Sequence, residues 1–359
     1  MTHARNTEVS ALVKRCASEA GFDLAGIAPA NDSPELQVFP DWIAAGRAGE
    51  MKYMESRDEQ GSLKRASLSR VAPWARSVIV CAINYNTDHP YSTQVNDPSR
   101  GWISRYAWSR EDYHEAVLRR LKQVEAALHE AVSDSDPKLM TRSYVDTGPI
   151  VERVFAKYAG VGWIGKNTCI ISQKLGSWLF LGVILTSLEL TPDFPVPDRC
   201  GTCTRCIEAC PTDAILEPYK LDSNRCISYL TIEKRGSIPE DLRASMGRHV
   251  FGCDICQDVC PWNRKAPATT APEFAPREGL MNPALDWLAE LSEDEFREKF
   301  RGSPIRRAKP SGLRRNALIA IGNSGNSEFL PLTERLTEDE ENAVADAARW
   351  ASTRLKESR

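Results

Sequence analysis

Val9, Leu12, Val13 and Cys16 recur at helical spacing in TEVSALVKRCASEA, residues 7–20. They form the apolar face of an amphipathic helix, and Gly21 supplies its stop. Four later segments, DLAGIAPA, SVIVCAINY, KLMTRSYVD and SWLFLGVILTSLEL, are apolar or alternating runs and read as strands. EDYHEAVLRRLKQVEAALHEAV predicts a long helix between the second and third of them. The mixture predicts an α+β domain over residues 1–190, ended by TPDFPVPD, whose three prolines in eight residues break any regular element. A second proline-rich stretch, WNRKAPATTAPEFAP, follows Pro261, and beyond it the spacing is helical. These shifts divide the chain into 1–190, 191–265 and 266–359. In the last part, helical patterns alternate with short Gly/Asn/Pro breaks, as in a pair of stacked HEAT-like repeats.

With 359 residues, 42% hydrophobic and 26% charged, the chain exceeds one typical core and lies outside the disordered and fibrous classes. Its longest apolar run, starting at Trp178, is too short to span a bilayer. MTHARNTEVS has neither a signal-peptide nor a twin-arginine pattern, so a cytoplasmic protein without a membrane partner is expected. A net charge of −3 predicts no general attraction to polyanions. Locally, however, Arg297, Lys299, Arg301, Arg306, Arg307, Lys309, Arg314 and Arg315 stand against Glu298 alone. Such a patch suits phosphate binding, and a solvated helix face is the alternative.

The cysteines carry the clearest chemistry. Eight of the 11 fall between Cys200 and Cys260. CGTCTRCIEACP places Cys200, Cys203, Cys206 and Cys210 at the C-x2-C-x2-C-x3-C-P spacing of bacterial ferredoxins. Cys226 follows alone, and CDICQDVCP adds Cys253, Cys256 and Cys260. Eight thiolates suffice for two 4Fe-4S clusters, and in two-cluster ferredoxins the fourth cysteine of a run ligates the other cluster. The expected sets are therefore Cys200, Cys203, Cys206 and Cys260, and Cys210, Cys226, Cys253 and Cys256. Zinc ribbons, the alternative, need neither the third cysteine of a run nor the trailing proline. Cys16, Cys81 and Cys169 read as small buried hydrophobes.

A two-cluster module behind a large domain needs an electron acceptor, yet no G-x-G-x-x-G follows any strand, and GVGWIGKNT has neither dinucleotide nor phosphate-loop spacing. RYAWSREDYH, SYVDTGP, GWIGKNTC, CGTCTRCIEACPTDAI, CISYLTIEKRG and FGCDICQDVCPWN, in this order and followed by the helical tail, closely resemble the epoxyqueuosine reductases. The similarity spans nearly the whole chain.

The resemblance implies reduction of epoxyqueuosine to queuosine at the wobble position of tRNAs with GUN anticodons. It implies a reduced nitroreductase-like domain holding base-off cobalamin, a bacterial ferredoxin-like domain delivering electrons, and a HEAT-like tail binding tRNA. Removing the epoxide oxygen as water takes two electrons and two protons, whereas each cluster passes one electron at a time. Cobalamin accumulates two, while the protein positions and protonates. Asp146, in SYVDTGP, matches the family's proton donor. Its ordinary alternative is an N-cap for a helix starting near Pro149. The resemblance further implies corrinoid contacts at Arg57, Ser104, Asp146, Thr212, Glu233, Cys253 and Asp254.

His114 lies in D-Y-H-E-A-V, which lacks the glycine of the D-x-H-x-x-G motif, so no histidine is expected on cobalt. It is expected instead to orient a loop or cap the long helix. Lys234 and Arg235, with Arg306, Arg307, Arg314 and Arg315, are the candidate tRNA contacts. Trp262 is expected to cover a cluster or stack on a base. A low-potential electron donor completes the expected partners, and nothing demands more than a monomer. A reductive dehalogenase-like corrinoid enzyme, a pure electron-transfer protein and a non-catalytic tRNA-binding module are the competing readings.

Overall fold

The computed structural model describes residues 3–357 of the chain. The chain gathers into two compact units, each discontinuous in sequence. The first comprises the chain through Asn86, Tyr113–Cys203 and Pro261–Pro272, and the second Thr87–Asp112, Thr204–Cys260 and the chain from Glu273.

The first unit is built on a four-stranded antiparallel sheet. Its strands are β1 (Leu24–Pro29), β2 (Ser77–Asn84), β3 (Thr141–Tyr144) and β4 (Leu179–Thr186), in the order β1-β2-β4-β3. Every residue of β2 is buried, as its run of Val, Ile and Cys requires of a strand covered on both faces. On one face lie helices α1 (His3–Glu19) and α3 (Tyr113–Val132). Ala116, Val117, Leu121, Val124 and Leu128 of α3 form the buried stripe. Gly182 lets this helix approach β4, since a Cβ there would meet Leu121 Cδ1 at 2.8 Å.

On the opposite face, Val78, Val80, Ala82, Val183 and Leu185 form a core with Val154, Phe155 and Ala156 of α4 (Glu152–Tyr158) and Leu36 of α2 (Pro34–Ala44). A Cβ on Gly26 would lie 1.9 Å from the Ala159 carbonyl oxygen, so only glycine allows the end of α4 to rest on β1. Both expected helices and all four expected strands are found, the third shortened to the four residues of β3 and the fourth to the eight of β4. Gly21 ends the first helix at φ 84°. Cys81 is fully buried and its thiol is pushed up to about 12 by burial.

In the second unit, Trp102–Ile103 pairs in parallel with His249–Phe251. One-turn helices Arg205–Glu208 and Ile255–Asp258 carry Cys206 and Cys256 and pack together. The C-terminal part is helical, with α5 (Pro310–Ser324) packed on α6 (Asn342–Glu357). Among the described residues, no helix is long and apolar enough to cross a membrane.

Candidate functional site

β3 ends in a tight turn that presents Asp146. The Thr147 N–H donates to Val145 O at 2.6 Å, and Asp146 takes φ 56°, a left-handed conformation that non-glycine residues adopt sparingly. The side chain of Asp146 is 68% exposed. Its Oδ2 accepts a 2.9 Å hydrogen bond from Tyr113 Oη and lies 3.9 Å from His114 Nε2. Both partners belong to the first turn of α3. The Tyr113 ring is clamped by stacking on Phe180, with centroids 4.4 Å apart, and on His114 at 4.0 Å. Packing therefore aims the hydroxyl. The next helix begins at Glu152 with Val151 as N-cap, so Asp146 does not cap it. His114 faces the Asp146 turn from within α3, as a loop-orienting residue would.

The far side of the turn is held by Arg65, a buried residue whose Nη1 donates to Tyr53 O at 2.6 Å and Nη2 to Gly148 O at 3.0 Å. Behind it stands Glu152. Its Oε1 is enclosed and accepts no hydrogen bond. Burial, and then the charge of Asp146, push the Glu152 carboxyl up to about 7, against the pull of its own backbone N–H and, more weakly, of Arg153 and Arg65. Arg57 is exposed on a neighbouring turn, its Nη1 donating to Gly61 O at 2.7 Å.

In the second unit, Asp254 is 1% exposed and accepts from Trp102 Nε1 at 3.1 Å, from the Arg105 N–H at 2.8 Å and from Ser104 Oγ. Ser104 and Thr212 are likewise buried. The side chains of Ser104 and Asp254 are thus committed to each other in the interior. Asp258 is pushed up to about 7 by burial and then by the charge of Asp254, while Ser92 Oγ donates to it at 2.5 Å.

The thiol of Cys253 is raised well above its ordinary range by burial, reinforced by the neighbouring Cys226 and, more weakly, Cys210. The Ala214 N–H donates to Cys210 Sγ at 3.3 Å. Thiols buried in this way, near enough to act on one another's charge and with a backbone donor aimed at one sulfur, ionise at low cost only beside a cation. They fit a 4Fe-4S cluster. Cys256 lies in the adjoining one-turn helix. Of the other expected set, Cys200 and Cys203 belong to the first unit, and Cys206 and Cys260 to the second. Burial raises the Cys200 thiol, and Lys166 Nζ donates to the carbonyls of Gly201 at 2.7 Å and Cys203 at 3.0 Å. Trp262 packs edge-on against Trp163, with centroids 5.0 Å apart.

The basic residues divide by environment. Arg306 is exposed. Arg307 makes a two-pronged ion pair with Glu233, at 2.7 and 3.1 Å, and its carbonyl accepts from Arg235 Nη2 at 2.9 Å. This seam also contains Lys234. Arg314 is paired with Asp339. Arg315, expected at phosphate, is instead 2% exposed, donating to the carbonyls of Leu230, Lys234 and Gly236. Local charge density does not reveal which face of a helix each arginine occupies, and this one points inward.

Sequence reasoning missed Tyr113, Arg65 and Glu152. Tyr113 adjoins His114 in a string already singled out, and that adjacency was the available signal. The other two acquire their roles only when the chain folds.

Residues 65–147 match the family model described as epoxyqueuosine reductase QueG, DUF1730, and residues 199–263 match the 4Fe-4S double cluster binding domain. The epoxyqueuosine reductase of Synechocystis sp. is 46% identical over 297 residues, 81% of this chain and 98% of that relative. A crystal structure of epoxyqueuosine reductase with an epoxyqueuosine-modified tRNA-Tyr stem loop superposes with TM-score 0.84 at 31% identity, covering 97% of this chain and 90% of the other. A Bacillus subtilis epoxyqueuosine reductase, described with its aspartate-bearing catalytic loop swung out of the active site, gives TM-score 0.84 at 29% identity, with 97% and 90% coverage. The chain belongs to the epoxyqueuosine reductase family.

Proposed function

We propose that this protein reduces epoxyqueuosine in tRNA to queuosine, with Asp146 as the proton donor and two 4Fe-4S clusters and cobalamin as cofactors. The observation that carries this reading is the agreement of the whole chain with a reductase structure bearing its modified tRNA stem loop. The exposed carboxylate on a strained turn supports the role of Asp146, as does the aspartate-bearing catalytic loop of the Bacillus subtilis relative.

Cobalamin, when bound, supplies a centre that stores two electrons delivered singly by the clusters. Its amide-fringed ring suits Arg57 as a donor and Asp146 as an acceptor. Ser104 and Asp254 would meet it through backbone, with Thr212, Glu233 and Cys253 completing the contacts. His114 is directed at Asp146, in keeping with base-off binding without a histidine on cobalt.

The chain's own part is positional and acid–base. Tyr113 fixes one carboxylate oxygen of Asp146, and Arg65 anchors Gly148 beyond the turn. The carboxyl is thereby held ready to protonate an oxygen. Lys234, Arg235, Arg306 and Arg307 are assigned to tRNA phosphates near the wobble base of a GUN anticodon, which must leave its stack to react. Functionally the chain divides into a nitroreductase-like cobalamin part at 1–190, a ferredoxin-like part at 191–265 and a HEAT-like tRNA-binding part at 266–359, acting as a monomer in the cytoplasm with a low-potential donor.

The test is cellular. The protein is expressed in a bacterium deleted for its own epoxyqueuosine reductase, and digested tRNA nucleosides are identified by mass spectrometry. Replacement of epoxyqueuosine by queuosine is the expected result. Persistence of the epoxide despite folded, cluster-loaded protein would reject the assignment.

A further inference from the structure

We propose that Lys166 sets the reduction potential of the first cluster, its ammonium group being held against the loop that carries Cys200 and Cys203 so that this cluster is easier to reduce. The proposal rests on the reading that these two cysteines are ligands of a 4Fe-4S cluster. It gives a role to GVGWIGKNT, the glycine-rich string whose spacing suits neither a dinucleotide nor a phosphate loop.

Within the first unit, Trp163–Ile164 pairs antiparallel with Ile170–Ile171, and Lys166 lies in the turn that joins them. The turn is fixed from inside. The Gly165 N–H donates to Cys169 O at 2.8 Å, the Thr168 N–H to Gly165 O at 2.8 Å and the Cys169 N–H to Asn167 Oδ1 at 3.2 Å. A Cβ on Gly165 would meet Ile171 Cδ1 at 2.5 Å, so glycine is required there. From this support the half-buried Lys166 sends Nζ to Gly201 O at 2.7 Å and Cys203 O at 3.0 Å. Lys14, Lys122 and Lys157 of the same unit are neutralised by Asp193, Glu125 and Glu35. Lys166 has no carboxylate partner among the described residues and directs its charge at the ligand loop. Four bonds separate the Cys203 carbonyl oxygen from its Sγ, so the ammonium lies within about 8 Å of that sulfur. The opposing charge on the loop is the exposed Asp198, whose Oδ1 accepts from the Cys200 N–H at 2.7 Å.

One electron passes from the low-potential donor to the cluster, with no bond made or broken, and the cluster with its thiolates gains one unit of negative charge. A fixed cation close by stabilises the reduced form more than the oxidised one, and a half-buried charge is only partly screened. Net charge and hydrogen bonds to the sulfurs both set cluster potentials. Trp163 belongs to the same arrangement. Burial raises the Cys200 thiol, while the Lys166 N–H and then the Trp163 indole draw it back. Trp163 Nε1 is enclosed and otherwise without an acceptor among the described residues, which leaves its N–H for a cluster sulfur. Lys166 thus acts through the loop and touches neither substrate nor corrinoid.

The test is a redox titration followed by electron paramagnetic resonance, on cluster-loaded full-length protein without tRNA or cobalamin, so that activity does not enter. Wild type, Lys166→Gln and Lys166→Arg are compared. Glutamine can still donate to a loop carbonyl but carries no charge, whereas arginine keeps the charge. In Lys166→Gln one of the two midpoints is expected to move to more negative potential, so that at a fixed potential the ratio of reduced to oxidised cluster falls about tenfold, about 59 mV for one electron. The other midpoint is expected to stay, and Lys166→Arg to titrate as wild type. Lys166→Met carries the same test should the glutamine variant fail to load its iron. Loaded, uncharged variants with both midpoints at their wild-type values would overturn the proposal. So would a Lys166→Arg midpoint lowered as far as that of Lys166→Gln, since the lysine would then serve only to tie the loop. A wild-type protein that shows no 4Fe-4S signal after anaerobic reconstitution would instead remove the cluster reading beneath it.

Discussion

Asp146 sits at a left-handed backbone torsion, φ 56°, with its side chain 68% exposed. A short polar side chain tolerates this region better than a branched or bulky one, so the turn both selects the residue and displays it. The sequence resemblance located Asp146, because its signal is a contiguous string, SYVDTGP. Glu152 was not legible: an acidic residue in the first helical turn is ordinary, favoured by the helix dipole. Only the folded chain encloses its Oε1 and brings the charge of Asp146 to bear on it. This burial has a consequence for stability. The folded-state carboxyl lies at about 7, above its ordinary 4.5, so the folded protein binds the extra proton more tightly. Its stabilising contribution is complete below about 4.5 and is lost as pH rises through about 7. The melting temperature of wild type relative to Glu152→Gln should therefore decline from about pH 5.5 to pH 8. A difference independent of pH would show that Glu152 is ionised throughout.

At the scale of elements, periodicity identified the pieces whose burial is regular. The stripe on α3 and the fully buried β2 follow the helix and strand repeats directly. The two-residue pairing of Trp102–Ile103 with His249–Phe251 left no such trace, since so short a strand has no period and its partner lies far along the chain. The charged stretch before and within α5 misled for a related reason. Arg315 and Asn316 are buried together: Asn316 Nδ2 donates to Thr231 O at 2.9 Å and Val250 O at 2.8 Å, beside the three carbonyls served by Arg315. These two side chains tie α5 to the segment following Cys226. Arg315→Ala should lower stability by roughly 3 kcal/mol, because buried carbonyls lose their donors. Thermal denaturation measures that loss, and iron release under mild chelation should quicken. An alanine variant as stable as wild type would show that the network contributes little.

For the whole molecule, the net charge of −3 conceals the separation of roles among its basic residues. The cysteine spacing made the clusters legible, and the double-cluster domain match over residues 199–263 supports that reading. The interleaving of the two compact units was not legible, because residues 87–112 carry no compositional mark of belonging with residues beyond 203. Polyanion binding must depend on exposed groups such as Arg306, whereas the interior position of Arg315 denies it that role. Arg306→Ala should weaken tRNA binding and reduce the slope of log affinity against log salt by about one, leaving the single-turnover rate at saturation unchanged. Fluorescence titrations across a salt series would read this, and an unaltered slope would place the phosphate contacts elsewhere.

The central claim is that this chain removes the epoxide oxygen with Asp146 as the acid. It is tested most directly by anaerobic turnover of purified protein carrying its clusters, supplied with cobalamin, a low-potential reductant and epoxyqueuosine-bearing tRNA. Nucleosides from wild type and Asp146→Asn are compared by mass spectrometry. The account predicts loss of one oxygen atom from the modified nucleoside, dependent on cobalamin and reduced at least about 100-fold in the variant. Equal conversion by the variant, or none by a wild type with intact clusters and bound corrinoid, would contradict it.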